Sequence, residues 1–400
     1  MTIGFGPAGP RNRYSGMAVA VLFFVNGATF SNWLPRVPEI RNRLELGNAG
    51  LGATLLGGGL GGIIGSLVVA RAMDRFGSRR LLVIAAGTLS VGLPLIGFVP
   101  AAVVLLLLLT CLGMLDVFND VAMNAQGVIV QDRLGRSIMN RLHAMWSLGF
   151  TAGALVGSAA ASAGVGVRTH LTVVGAVLLV TVLVVQRWLI AIDPPVSPVD
   201  AVAPDDGQTS MPVESRRWSR VTITMAFAAL AAAALEITPN DWAAVFMLDE
   251  FDFGRAAGFG TVACAGAMLV GRLFGDHVLD RVGERRLLIG AIVVSGVGAA
   301  ITVVAPVGAV ALVGLSIWGL GLSVVFPQLY ATAARLPGTS AGSGLGSMLL
   351  GQRLGGMLTA VLVGGLAQWW DLRVAFALVA GVALVVLGLT VRSMMAAGAR

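Results

Sequence analysis

The sequence predicts an all-α integral membrane protein: twelve transmembrane helices arranged as two pseudo-symmetric six-helix bundles. Three observations carry that prediction. Hydrophobic residues make up 56% of the 400-residue chain, charged residues only 12%, and the mean hydropathy is +0.87; soluble domains carry about twice that charged fraction. The apolar residues fall in continuous runs of about 20, the length of a bilayer-spanning helix, and not in the alternating pattern of a β-barrel. Finally, the second half repeats the first. MDRFGSRRLL at Met73 to Leu82 returns as LDRVGERRLL at Leu279 to Leu288, and FSNWL around Trp33 is echoed by PNDWA around Trp242, at offsets of 206 and 209.

In chain order the expected spans are 15–35, 50–70, 80–99, 101–128, 139–163, 170–190, 221–247, 256–278, 286–305, 308–334, 341–367 and 373–392. The first has a charged start, Arg11 and Arg13, as a signal peptide would. Its counterpart at 221–247 argues that it stays in the membrane. Residues 191–220, with five prolines, several acids and an arginine cluster, cannot bury themselves and read as a flexible linker. The expected organisation is therefore a tail (1–14), an N-terminal bundle (15–190), the linker (191–220), a C-terminal bundle (221–392) and a second tail (393–400). The 54 glycines suit helices that must approach closely where lipid offers no hydrophobic drive for association.

The net charge of +7 reflects topology and gives no reason to invoke nucleic acid. With the N-terminus in the cytoplasm, nineteen arginines fall on the inner side. Six fall outside (Arg36, Arg41, Arg43, Arg168, Arg255 and Arg373), while Arg272 and Arg353 lie within spans. By the positive-inside rule both termini are cytoplasmic. Cys111 and Cys264 sit in apolar runs without metal or redox spacing. The run GLGATLLGGGLGG (Gly50 to Gly62) lacks the lysine of an ATP-binding loop, and no cofactor or metal is implied.

The fourth span carries the main anomaly. CLGMLDVFNDVAMNAQG places Asp116, Asp120 and Asn124 four residues apart, stacked on one helix face. A carboxylate at membrane depth costs about 2.5 kcal/mol or more, so such residues are functional candidates by default. Spans 3, 6, 9 and 12 have no charge in their apolar cores and can face lipid. Spans 1, 4, 7 and 10 hold Asn26, Asn32, Trp33, the three fourth-span residues, Glu236, Asn240, Asp241, Trp242, Trp318, Gln328 and Tyr330. Polarity on every third helix implies a central cavity.

Each candidate has a plain structural reading beside its functional one. Asp120 is a proton carrier or one partner of an interhelical hydrogen bond. Asp116 shares that proton, binds a polar substrate group, or is structural. His143 is a relay partner or a satisfied buried histidine. Glu236 is a second coupling acid or a substrate ligand, and Asp241 an outer gate or a helix-end hydrogen bond. Arg353 is a counter-ion for these acids or an anchor for an anionic substrate, and Arg272 is structural. Trp33, Trp146, Trp242 and Trp318 stack on a solute or pack the core.

The doubled loop, DRFGSRR (Asp74 to Arg80) and DRVGERR (Asp280 to Arg286), resembles the cytoplasmic signature of the major facilitator superfamily, although Ala70 and Asp276 stand where the family has a glycine. The logic is an acid at a helix end, a tight turn at Gly77 or Gly283, and arginines that pair with the acid and cap carbonyls: Arg75, Arg79 and Arg80, then Arg281, Arg285 and Arg286. The resemblance covers all twelve spans. NDW at Asn240 to Trp242, with Glu236 upstream, and AMNAQG at Ala122 to Gly127 resemble a branch of bacterial inner-membrane permeases. Asp120 with Asn124 is similar to the fourth-helix pair of fucose:proton symporters, which implies a proton-coupling role for Asp120; the first-helix acid of those symporters is replaced by the neutral Asn26 and Asn32. GFTAGALVG (Gly149 to Gly157) resembles the glycine motif of proton-driven drug exporters, but Ala154 replaces its proline, and close packing is the simpler reading.

Together these readings give the expectation of a monomeric inner-membrane secondary transporter, not an enzyme, whose partners are protons, a small-molecule substrate and the lipid bilayer. It works by alternating access, with the loop motifs latching the outward-open state. Symport of a small polar metabolite, a sugar among the candidates, is favoured; the alternatives are proton-driven export of a drug or metabolite and a non-transporting receptor or scaffold.

Overall fold

The computed structural model describes residues 10–135, 138–190, 219–336, 339 and 341–398. Residues 1–9 of the first expected tail, 399–400 of the second, and the linker apart from its last two residues lie outside the described residues. Among these, every regular element is helical. The helices are α1 (Pro10–Trp33), α2 (Val37–Arg43), α3 (Asn48–Ile96), α4 (Ala102–Leu134), α5 (Met139–Ser162), α6 (Val167–Val185), α7 (Arg220–Phe251), α8 (Phe259–Val282), α9 (Glu284–Val304), α10 (Gly308–Leu322), α11 (Val325–Ala334), α12 (Ala341–Trp369) and α13 (Leu372–Gly398).

Among the described residues, eleven segments are long and apolar enough to cross a membrane. One of them, α3, has 49 residues, and at 1.5 Å per residue it is about 70 Å long, more than twice a hydrocarbon core of about 30 Å. Gly77 divides it with φ 70° and ψ 162°, so α3 holds two spans, the expected second and third. The repeat position Gly283, between α8 and α9, has φ 79° and ψ 157°. Only glycine adopts this combination readily. The two halves therefore make the same tight turn at the same place in their repeated sequence.

Two spans depart from their expected form. The first runs through a 3₁₀ turn (Leu34–Arg36) into the short α2, because Pro35 and Pro38 favour the first turn of a new helix. The tenth breaks at Ser323 and Val324 into α10 and α11; Pro327 has no N–H to offer the carbonyl of Ser323.

Glycines set how the helices pack. On one face of α3, Gly57, Gly61 and Gly65 lie against α4; a Cβ at Gly57 or Gly61 would strike the backbone of Leu106 or Thr110. On another face, Gly52, Gly59 and Gly62 meet Ala360, Met357 and Arg353 of α12. In α5, Gly149, Gly153 and Gly157 receive the backbone and side chains of α1 at Phe24, Ala28, Ser31 and Asn32. The exporter-like glycine run is thus a helix-packing face.

The contacts between the two halves gather near the end that carries α2. Arg41 forms a two-pronged ion pair with Asp249 at 2.5 and 2.7 Å. Gly52 lies against Ala360 and Gly364, Gly258 against Pro35 and Ser158, and the Ser162 hydroxyl donates to the Arg255 carbonyl. At the opposite end, Asp74, Arg75 and Arg80 of the first loop motif are exposed, as are Asp280, Arg281, Arg285 and Arg286 of the second. Arg79 donates to the carbonyl of Gln186 within its own half. Among the described residues neither motif acid makes an ion pair.

Replacing Gly283 by alanine should destabilise the protein by about 1–3 kcal/mol, because a Cβ there meets no neighbour and the whole cost is backbone strain. Gly290→Ala, in the open middle of α9, should instead be neutral or stabilising by up to about 1 kcal/mol. Thermal unfolding of the two variants side by side checks this; equal shifts would refute the strained turn.

Candidate functional site

Some of the polar residues that the sequence places at membrane depth converge between the halves, from α1, α4, α5, α7, α8, α11 and α12. On α4, Asp116 and Asp120 lie one turn apart, close enough that the charge of Asp120 acts on Asp116. Asn26 of α1 donates to Asp116 Oδ1 at 3.0 Å, and its own Oδ1 accepts from the Trp146 indole N–H at 2.6 Å. A single amide thus ties α4 to α5. Asn124 donates to the Asp120 carboxylate at 3.0 Å and to its carbonyl at 2.9 Å. Asp120 is exposed despite its depth in the chain's apolar run, and it lies within the field of Arg353 from the other half.

The opposing cation is Arg353 of α12. Its guanidinium lies over Gly62, where a Cβ would sit 2.5 Å from Nη1, so the glycine makes its seat. Its field reaches Asp116, Asp120 and the Tyr330 hydroxyl, and Tyr330 donates to Gln352 Oε1 at 3.3 Å. Among the described residues, neither Asp116 nor Asp120 has a basic nitrogen within 4 Å.

A second charge cluster surrounds Glu236 on α7. Arg272 Nη2 lies 3.7 Å from Glu236 Oε1, while Arg272 Nη1 donates across to the Ser147 hydroxyl of α5 at 2.8 Å. Glu236 and Asn240 line one cleft together with Trp146, Phe150, Met268 and Arg272. Two side-chain atoms of these lining residues, Glu236 Oε2 and Asn240 Oδ1, are buried with no hydrogen-bond partner among the described residues. Among the described residues, no group of His, Cys, Asp and Glu is arranged to hold a metal.

Several candidates lie elsewhere. Asn32 donates to the Ala28 carbonyl and meets His170 Nε2 at 3.2 Å, inside the first half between α1 and α6. Trp318 is fully buried edge-on to Phe376, within the second half, and Trp242 is fully buried as well. Trp33 and Gln328 are buried, and Asp241 is partly buried with no ion pair among the described residues. His143 meets the ring of Phe23 edge-on at 5.4 Å, and its charged neighbour is Arg272, not an α4 acid. Arg272, read from sequence as structural, joins both halves through Glu236 and Ser147; a lone arginine two turns from the loop motif gives no hint of a partner on another helix. Ser147 gives none either.

A family model described as Major Facilitator Superfamily matches residues 19–356 and 267–396. An uncharacterized MFS-type transporter of Yersinia pestis is 28% identical over 365 residues, covering 91% of this chain and 92% of that protein. Among solved structures, the nucleoside transporter NupG superposes with a TM-score of 0.71 at 16% identity, covering 95% of this chain and 99% of NupG. The transporter FucP, in its outward conformation, gives 0.64 at 14% identity, covering 95% and 98%.

The Asn26 bridge should be measurable. Asn26→Leu leaves the Trp146 N–H and the Asp116 carboxylate each without this partner, at about 1–3 kcal/mol of lost stability per group. Thermal unfolding together with tryptophan emission checks this; unchanged stability and emission would show that the bridge does not form.

Proposed function

The chain belongs to the Major Facilitator Superfamily, and from that premise we propose that it is a proton-coupled symporter of a small polar metabolite, a sugar being the class we favour. The observation that carries the reading is the placement of Asp116 and Asp120. They face the space between the halves, they lack a paired cation, and they lie in the field of Arg353 on the opposite half. An acid already locked in a close ion pair would resist protonation. Asp120, which keeps one amide donor and an open side, is able to take up and release a proton.

The coupling then follows from electrostatics. An ionised Asp120 attracts Arg353 across the gap and a protonated one does not, so proton occupancy biases how closely α4 and α12 approach. Asn124 holds the carboxylate in place in both states. Asp116, held by Asn26, shares the charge. His143 faces Arg272 and takes no part in this step.

Nineteen arginines against six support a cytoplasmic placement of the glycine-turn end in an inner membrane, with both termini on that side. The described contacts then correspond to a state closed towards the outside by Arg41 and Asp249. The exposed loop motifs fit a latch that engages only in the opposite state. Export gains no support of its own, because the α5 glycine run packs on α1.

Asp120→Asn should insert normally and lose proton-driven uptake in reconstituted vesicles by tenfold or more, while solute exchange without a gradient persists; full proton-driven uptake would overturn the assignment. Direction is read separately. Solute added to intact cells should alkalinise the medium, whereas acidification would favour antiport.

A further inference from the structure

The cleft between α5 and α7 also limits what can bind there. One wall is aromatic: the rings of Trp146 and Phe150 lie 5.4 Å apart at 31°. The indole's only donor is committed to Asn26, so the ring offers the cleft apolar surface. On the other wall Glu236 and Asn240, one turn apart on α7, carry two buried acceptors with no partner among the described residues, Glu236 Oε2 and Asn240 Oδ1. A buried acceptor left unpaired is costly, and two on one helix face call for two donors carried by one ligand.

Charge narrows the class. An anionic group would bring further acceptors to oxygens that already lack donors. A cationic solute would meet Arg272, which already lies beside Glu236 and donates to Ser147. Neutral hydroxyls satisfy both oxygens without disturbing that pair, and the C–H face of a ring suits the indole.

We propose that this cleft binds a neutral ring solute through a vicinal diol, with the two hydroxyls donating to Glu236 Oε2 and Asn240 Oδ1 and the ring lying against Trp146. Sugars and the ribose of nucleosides share this chemistry. The assignment rests on the transporter reading only in taking the cleft for a solute site. The acids then have separate roles, those on α4 carrying the proton and Glu236 holding the solute.

Equilibrium binding to the purified full-length protein, read by tryptophan fluorescence and thermal shift without any proton gradient, tests it. The panel pairs neutral hexoses and ribonucleosides with their 2-deoxy and 2′-deoxy counterparts, and adds ring-matched sugar acids and amino sugars. The expected result is that a neutral diol binds, that loss of one hydroxyl weakens it tenfold or more, and that Asn240→Leu does the same while the protein remains folded. The hexose and ribonucleoside arms identify the source. Preference for charged rings, no neutral diol bound, or full affinity in a folded Asn240→Leu variant would each overturn the proposal. Diol binding without proton-driven uptake would leave the cleft assignment standing and sink the coupling reading; uptake of a solute lacking a diol would do the reverse.

Discussion

The placement of Asp116, Asp120 and Arg353 depends on how closely α3 approaches its neighbours. In a bilayer, helices gain little from burying apolar side chains against one another, so association relies on close backbone contact and polar bonds. Two glycine faces of α3 provide that contact. One brings α4, with its acids, against α3; the other admits α12 and makes room for the Arg353 guanidinium at Gly62. The same helix thus sets the positions of both members of the central charge system. It leaves the charges near each other but unpaired, an arrangement a surface of larger side chains would not hold.

From that constraint follows a separation of two charge systems. The Glu236 and Arg272 pair is buttressed from the other half by Ser147, whereas among the described residues Asp116 and Asp120 meet amides and a more distant field. Both systems span the two halves, so any relative motion of the halves changes them together. A transporter that links a proton to a solute needs that connection, because neither event can bias the conformational equilibrium unless it interacts differently with the two states.

The fold was largely legible in the sequence. Continuous apolar runs locate the spans, and the repeated loop identifies Gly77 and Gly283, whose shared backbone geometry is the most direct structural trace of the repeat. The four-residue spacing of Asp116, Asp120 and Asn124 correctly places them on one face. What periodicity could not supply was the identity of each neighbour. Asn32 and Trp318 lie on helices of the polar class yet turn into the packing of their own halves, against His170 and Phe376. Arg272 has no sequence partner at helical spacing and gains its role only from Glu236 on α7 and Ser147 on α5. The short α2 and the break before α11 depend on prolines within otherwise uniform apolar runs, which length and hydropathy average away.

The end that carries α2 shows why a closed state of this kind need not be permanent. Arg41 and Asp249, with the glycine contacts, draw the halves together there. Against them stands Arg36, fully buried in the turn between α1 and α2. Its Nη2 reaches Glu39 and the Val165 carbonyl, but Nε and Nη1 have no partner among the described residues. Each such buried donor costs about 1–3 kcal/mol, a penalty that water would remove once the end opened. The closure is therefore a balance of opposing terms, and a balance of a few kcal/mol is within reach of a proton and a bound solute acting together.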